Sequence, residues 1–306
     1  MPAEMPQNPS DEAEPLARLS SMKNAHKPDA APPESPPEDA ANANPAAAPA
    51  DPAIDQEPMA IISDIHGNLE GLTVVMEEIN KRGIRRICCL GDVIGYGPNP
   101  LECMDIVINA CEFTIMGNHD FAIFYEPYNF NTAAENAAFW TRGQFETDTD
   151  RERRNRRWRY LGSMQTRLNT SRFLAVHGSP RRPINEYIFP DDIFSAQQKI
   201  SLIFDRITHL CFVGHTHVPG VFVQHPDFYS PEDLGNKYVI SDEKAIINVG
   251  SVGQPRDHDP RSSFAILHPD HVEFIRLPYD VATTVEKVRA IDALDNFLGQ
   301  RLVEGT

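Results

Sequence analysis

Short apolar runs that end in polar residues alternate with stretches of helical spacing. Residues 59–63 form an apolar run ending at Asp64, the mark of a buried strand. Residues 68–82 carry Leu69, Leu72, Val75, Met76 and Ile79 on one helical face, and Gly83 stops that helix. Residues 86–90 predict a second strand running into Gly91-Asp92, and residues 100–109 a second helix. A third strand, 113–116, runs into Gly117-Asn118-His119-Asp120. Helices are expected over 133–145 and 191–204. Strands at 173–176 and 209–213 lead to His177-Gly178-Ser179-Pro180 and to Gly214-His215-Thr216-His217. Residues 221–224, 245–249, 263–268 and 271–277 read as later strands without helices between them. Residues 281–302 place Val285, Val288, Ile291, Leu294, Leu298 and Leu302 at the spacing of one docked amphipathic helix.

Strand–helix repeats followed by strands predict an α/β protein, with two mixed sheets packed as a sandwich and helices outside. The polar motifs each follow an apolar strand. Sites in α/β sheets gather outside the carboxyl ends of strands, so five such ends predict one converging site.

Composition changes the picture at the N-terminus. Residues 1–58 hold 13 of the 26 prolines, with 11 acidic and 3 basic residues, a net of −8 out of the chain's −16. Such a stretch has little to bury, so it reads as a disordered, acidic, Pro/Ala-rich tail, leaving 59–306 as one domain. It lacks the features of a secretory or mitochondrial signal, and no apolar window reaches membrane-spanning length. The expected location is cytoplasmic, with no membrane partner. The five cysteines read as reduced core thiols. The acidic balance argues against nucleic-acid binding. One basic cluster, six arginines between Arg151 and Arg159, reads as a solvated helix face or as an attractor for a phosphorylated ligand.

The motifs carry metal chemistry. Asp64 and His66 lie two apart, as do His215 and His217; on extended chain each pair would face one side. The Asp92 carboxylate has two oxygens and can bridge two cations. Asn118 offers a carbonyl oxygen, His119 can give a proton to a departing oxygen, and Asp120 can orient the His119 ring. His177 adds another imidazole. Two cations a few ångströms apart need such a mixed set of ligands.

Asp-x-His, Gly-Asp, Gly-Asn-His-Asp, His and Gly-His-x-His, in that order, resemble the calcineurin-like metallophosphoesterase superfamily, from about residue 60 to 277. The resemblance implies a four-layer α/β/β/α sandwich. It implies that Asp64, His66 and His217 hold one divalent metal ion, that Asn118, His177 and His215 hold the other, and that Asp92 bridges them. His119 would be the catalytic histidine, with Asp120 as its partner. Mn²⁺, Fe and Zn²⁺ all suit such ligands.

The protein phosphatases of this superfamily carry Gly-Asp-x-x-Asp-Arg-Gly. Here the loop reads Gly91-Asp92-Val93-Ile94-Gly95-Tyr96-Gly97-Pro98, so Tyr96 stands where an arginine would clamp phosphate. That loop and the 248–257 stretch are closer to the small bacterial-type phosphoesterases. Tyr96 and Arg256 are candidate substrate contacts, although Arg256 could instead pair with Asp257 or Asp259. Residues 125–170 form an insertion that either caps the site or packs peripherally. The expected function is hydrolysis of a small phosphoester or nucleotide. A protein phosphatase and a non-catalytic metal-binding scaffold are the alternatives.

Overall fold

The computed structural model describes residues 56–306. The expected tail therefore lies outside the described residues except for Gln56, Glu57 and Pro58. The chain then runs β1 (Met59–Ile62), α1 (Leu69–Lys81), β2 (Arg86–Cys89), α2 (Pro100–Ala110), β3 (Phe113–Thr114) and α3 (Asn118–Phe124). Next come α4 (Thr132–Thr147), α5 (Arg151–Ser163), β4 (Arg167–Asn169), β5 (Phe173–Val176), α6 (Asp192–Ser195) and α7 (Gln197–Phe204). The strands β6 (Leu210–Val213), β7 (Gly220–Val223), β8 (Asp227–Tyr229), β9 (Lys237–Val239) and β10 (Ala245–Asn248) follow. The described chain closes with β11 (Ser262–Leu267), β12 (His271–Leu277), α8 (Val281–Arg289) and α9 (Asn296–Glu304). Among the described residues no helix is long and apolar enough to cross a membrane.

Two mixed six-stranded sheets result, in the orders β3-β2-β1-β11-β12-β9 and β4-β5-β6-β10-β7-β8. The strand period of two explains their stacking. In β1, Ala60 and Ile62 face the core shared with α1 and α2, while Met59 and Ile61 face the core between the sheets. A third core joins the outer face of the second sheet to Ile193, Ile200 and Ile203 of α6 and α7. This gives the expected α/β/β/α layering. Fully burying one Ile or Leu contributes about 1.5–3 kcal/mol, so strands buried on both faces read as continuous apolar runs.

β1, β2 and β3 are parallel, as are β5, β6 and β10. Their carboxyl ends deliver Asp64, Asp92, Asn118, His177 and His215.

Two expectations need correction. The 191–204 helix breaks at Ala196, whose φ of −140° leaves the helical region. The 281–302 helix is two helices, because the chain ends α8 at Ala290 and restarts where Asp295 accepts from the Phe297 N–H. The Gly-Asn-His-Asp motif opens the helix α3.

Residues 125–170 carry α4, α5 and β4. α4 meets the C-terminal helices through a cluster of Ala137, Val288, Leu294 and Leu298, with Tyr96 against it. The basic cluster lies on α5 and is divided. Arg151, Arg153, Arg156 and Arg159 are exposed, whereas Arg157 is 3% exposed. Its guanidinium donates to Asp105 at 2.6 and 2.8 Å and pairs with Asp148. Replacing Arg157 with Met would leave two carboxylates together without their cation. The expected loss is about 2 kcal/mol, because both acids remain partly solvated. Urea denaturation would show a lower midpoint, and an unchanged midpoint would refute the anchoring role.

Candidate metal centre and the cavity above it

The motif loops leave their strands abruptly. Asp64, His66, Asp92, His215 and His217 have φ of 54°, 49°, 51°, 68° and 62°, and Tyr96 has 58°. These are left-handed conformations, disfavoured for residues with a Cβ, and such strain concentrates at functional sites. The extended geometry expected for Asp64/His66 and for His215/His217 is therefore wrong, although each pair does reach the same cluster.

Main-chain bonds hold these turns. Asp64 and His66 donate to the carbonyls of Gly91 and Asp92, at 3.0 and 2.9 Å. From below, residues 248–254 act as a strap. Val252 and Gly253 donate to the carbonyls of Ser63 and Asp64, and Ser251 Oγ donates to the Asp64 carbonyl at 2.8 Å. Asn248 Nδ2 donates to Thr216 Oγ1 and to the Gly214 carbonyl. The strap binds the first and last motifs together, a role that its sequence did not disclose.

Two glycines allow the carboxylates in. A Cβ on Gly117 would overlap Asp92 Oδ1, and one on Gly214 would overlap Asp64 Oδ2. The freed carboxylates accept backbone N–H bonds: His119 N–H to Asp92 Oδ1 at 2.8 Å, and His215 N–H to Asp64 Oδ2 at 3.0 Å.

The remaining atoms converge. Three sets, Asp64/His66/His217, His66/Asp92/His119 and Asp92/His177/His215, each bring their donor atoms within 4.8 Å of one another, all buried. His177 Nε2 lies 3.3 Å from Asp92 Oδ2, 3.1 Å from Asn118 Oδ1 and 3.2 Å from His215 Nδ1. His217 Nε2 lies 3.2 Å from Asp64 Oδ1 and 3.1 Å from His66 Nε2. His217 Nδ1–H donates to the Gln254 carbonyl at 2.5 Å, and His177 Nδ1–H to that of Leu90 at 2.9 Å. Both Nε2 atoms therefore turn inward among oxygens and other imidazole nitrogens. Lone pairs this close need a positive centre, and a mixed O/N set suits a divalent metal ion.

The charges agree. Burial alone would raise Asp64, but His217 and His177 outweigh it and hold the carboxyl at about 2. Burial pushes His66 and His215 well down, keeping them neutral. Burial would lower His177 too, yet Asp92 and Asp64 hold it up at about 9, so a positive charge is favoured at that point.

His119 is pushed down to about 4 by burial. Its Nδ1 abuts Gly95 and has no hydrogen-bond partner, and the residue lines the cavity above the cluster. The expected support of His119 by Asp120 is not formed. The Asp120 carboxylate instead accepts from the N–H groups of Val93, Ile94 and Gly117, at 3.1 to 3.4 Å. Three backbone donors consume it, and it ties the second motif to the third.

Tyr96 packs on His66 and His119, with ring centroids 4.8 and 4.2 Å apart. Arg256 lies over Tyr96 at 6.0 Å and donates to Gln254 Oε1 at 2.7 and 3.2 Å. It pairs with neither expected acid, because Asp257 pairs with Arg276 and Asp259 with Arg261. Tyr187, which the sequence did not single out, stacks on His215 at 3.8 Å. Phe130 packs on His119 at 4.6 Å. Both lie in irregular loops, where no periodicity marks a side chain. A cavity of about 660 Å³ opens above Asn118, His119 and His215.

A two-sheet sandwich with a buried carboxylate–imidazole cluster at its strand ends has the make-up of a metal-binding α/β protein. Residues 58–271 match the calcineurin-like phosphoesterase superfamily domain, and the chain belongs to that superfamily. An uncharacterised protein of Methanocaldococcus jannaschii is 34% identical over 259 residues, covering 81% of this chain and 98% of its own. The crystal structure of a metallophosphoesterase from Sphaerobacter thermophilus is 37% identical, with a TM-score of 0.69, covering 82% of this chain and 99% of the other. A hypothetical protein of Pyrococcus horikoshii, 18% identical with a TM-score of 0.62 over 81% of this chain and 98% of its own, shares the fold.

Proposed function

We propose that the chain is a dinuclear-metal hydrolase of small phosphomonoesters or phosphodiesters. The observation that carries this reading is the pair of inward-facing Nε2 atoms, on His177 and His217, set against Asp92 and Asp64. Asp64, His66 and His217 would hold one ion, Asn118, His177 and His215 the other, and Asp92 both. Divalent metals there polarise phosphoryl oxygens and lower the pKa of water.

The chain's own groups do the rest. The Leu90 and Gln254 carbonyls fix the His177 and His217 tautomers. His119 offers Nε2 to the departing oxygen. Arg256, unpaired with Asp257 or Asp259, brings positive charge beside Tyr96 for a phosphoryl oxygen, where the protein phosphatases place a different arginine.

A chelator-stripped chain is expected to lose hydrolysis of p-nitrophenyl phosphate and of its bis ester. Adding Mn²⁺, Fe²⁺ or Zn²⁺ in turn restores it, with about two metal ions per chain by mass spectrometry. No turnover with any of these ions would sink the reading.

A further inference from the structure

The cavity above the cluster holds about 660 Å³, within the range of pockets for drug-sized ligands and far more than one phosphate fills. Two separate segments line it with aromatic rings. From the stretch before α4 come Tyr128 and Phe130, and from the loop after His177 comes Tyr187. Tyr128 is 77% exposed and Tyr187 40% exposed, so neither ring serves the core. Tyr187 lies nearly parallel to the His215 ring, at 19°, and to Phe189, at 8°, so neighbouring rings fix its orientation at the cavity wall. Between the rings of the first segment, Asn129 sits at φ 60°, a left-handed turn that asparagine accepts more readily than most residues. Asn129 and Asn185 both line the cavity and offer amide donors and acceptors. Arg182 lines it too, in no ion pair among the described residues.

We infer that this cavity is a nucleobase site, so that the preferred phosphoester is a nucleotide. The inference rests on the reading of the cluster as a phosphoester centre. Flat rings give a base its faces, and the asparagine amides meet its edge. Arg182 offers charge to a ribose oxygen or a further phosphate. A small aliphatic phosphoester would leave the rings unused.

AMP and ribose 5-phosphate carry the same sugar and phosphate and differ only in the base. Their dissociation constants are measured by calorimetry on the full chain loaded with Mn²⁺. One stacked base on an aromatic ring is worth about one to two orders of magnitude in affinity, so AMP is expected to bind at least about tenfold more tightly. Tyr128→Ala and Tyr187→Ala should each shrink that ratio severalfold, with circular dichroism confirming that both variants fold. Equal binding of the two ligands, no binding of either, or a ratio unmoved in both variants would overturn the nucleobase site. Continued turnover of bis-p-nitrophenyl phosphate would then leave the hydrolase reading standing. Conversely, a base-dependent ratio that falls in the variants, with no turnover of any phosphoester, would uphold the site and refute the hydrolase.

Discussion

Asp92→Asn is expected to slow hydrolysis of bis-p-nitrophenyl phosphate by about 10³-fold or more, equivalent to about 4 kcal/mol of lost barrier reduction. The change is isosteric. Oδ1 can still accept the His119 N–H, now at 2.8 Å, so the turn survives. Oδ2 is the atom that differs. It lies 3.6 Å from His66 Nε2 and 3.3 Å from His177 Nε2, between the two halves of the cluster. An NH₂ there points two donors at the place a cation would take and removes the charge that balances it. The metal content per chain should fall together with the rate. The melting midpoint of the metal-free protein should stay within a few degrees of the parent's. A variant keeping full metal and a rate within tenfold would end the bridging assignment.

Gly117→Ala should lose activity by a different route. Its new Cβ would overlap the Asp92 carboxylate and backbone N, so the second and third motifs must separate. Overpacking of this kind costs about 1–3 kcal/mol of stability, and displacing a catalytic group by an ångström costs about 10²-fold in rate. Gly143→Ala is the matched comparison. Within α4, a Cβ on Gly143 meets nothing within 4 Å. There the same substitution should stabilise by about 0.5–1 kcal/mol, because alanine loses less backbone entropy in a helix. Denaturation midpoints moving in opposite directions would support the close approach at Gly117. Equal shifts would show that the crowding is relieved elsewhere.

Much of this was legible in the residues, and the illegible part has physical causes. β1, β2, β5, β6 and β10 are buried on both faces, so their apolar runs stand out. α1 and α2 show clear periodicity. β4, β8 and β9 did not register, because they are short, partly exposed edge strands such as Lys237–Val239. The motifs named the cluster, because Asp, Asn and His at successive strand ends have few other uses. They did not reveal how the cluster is held. The left-handed conformations in the cluster, the strap under Asp64 and the backbone work of Asp120 all depend on partners far away in sequence. Tyr187 and Phe130 were missed because loop aromatics obey no repeat.

The left-handed residues of the cluster bear on how this protein would change by descent. Each L-residue kept at such a φ costs about 1 kcal/mol, while glycine and asparagine accept it more readily. Asp64, His66, Asp92, His215 and His217 all stand there. A lineage released from its chemistry would gain thermal stability by drifting first at these positions, toward glycine or asparagine. The residues that build the centre are the ones that the fold alone would be first to discard.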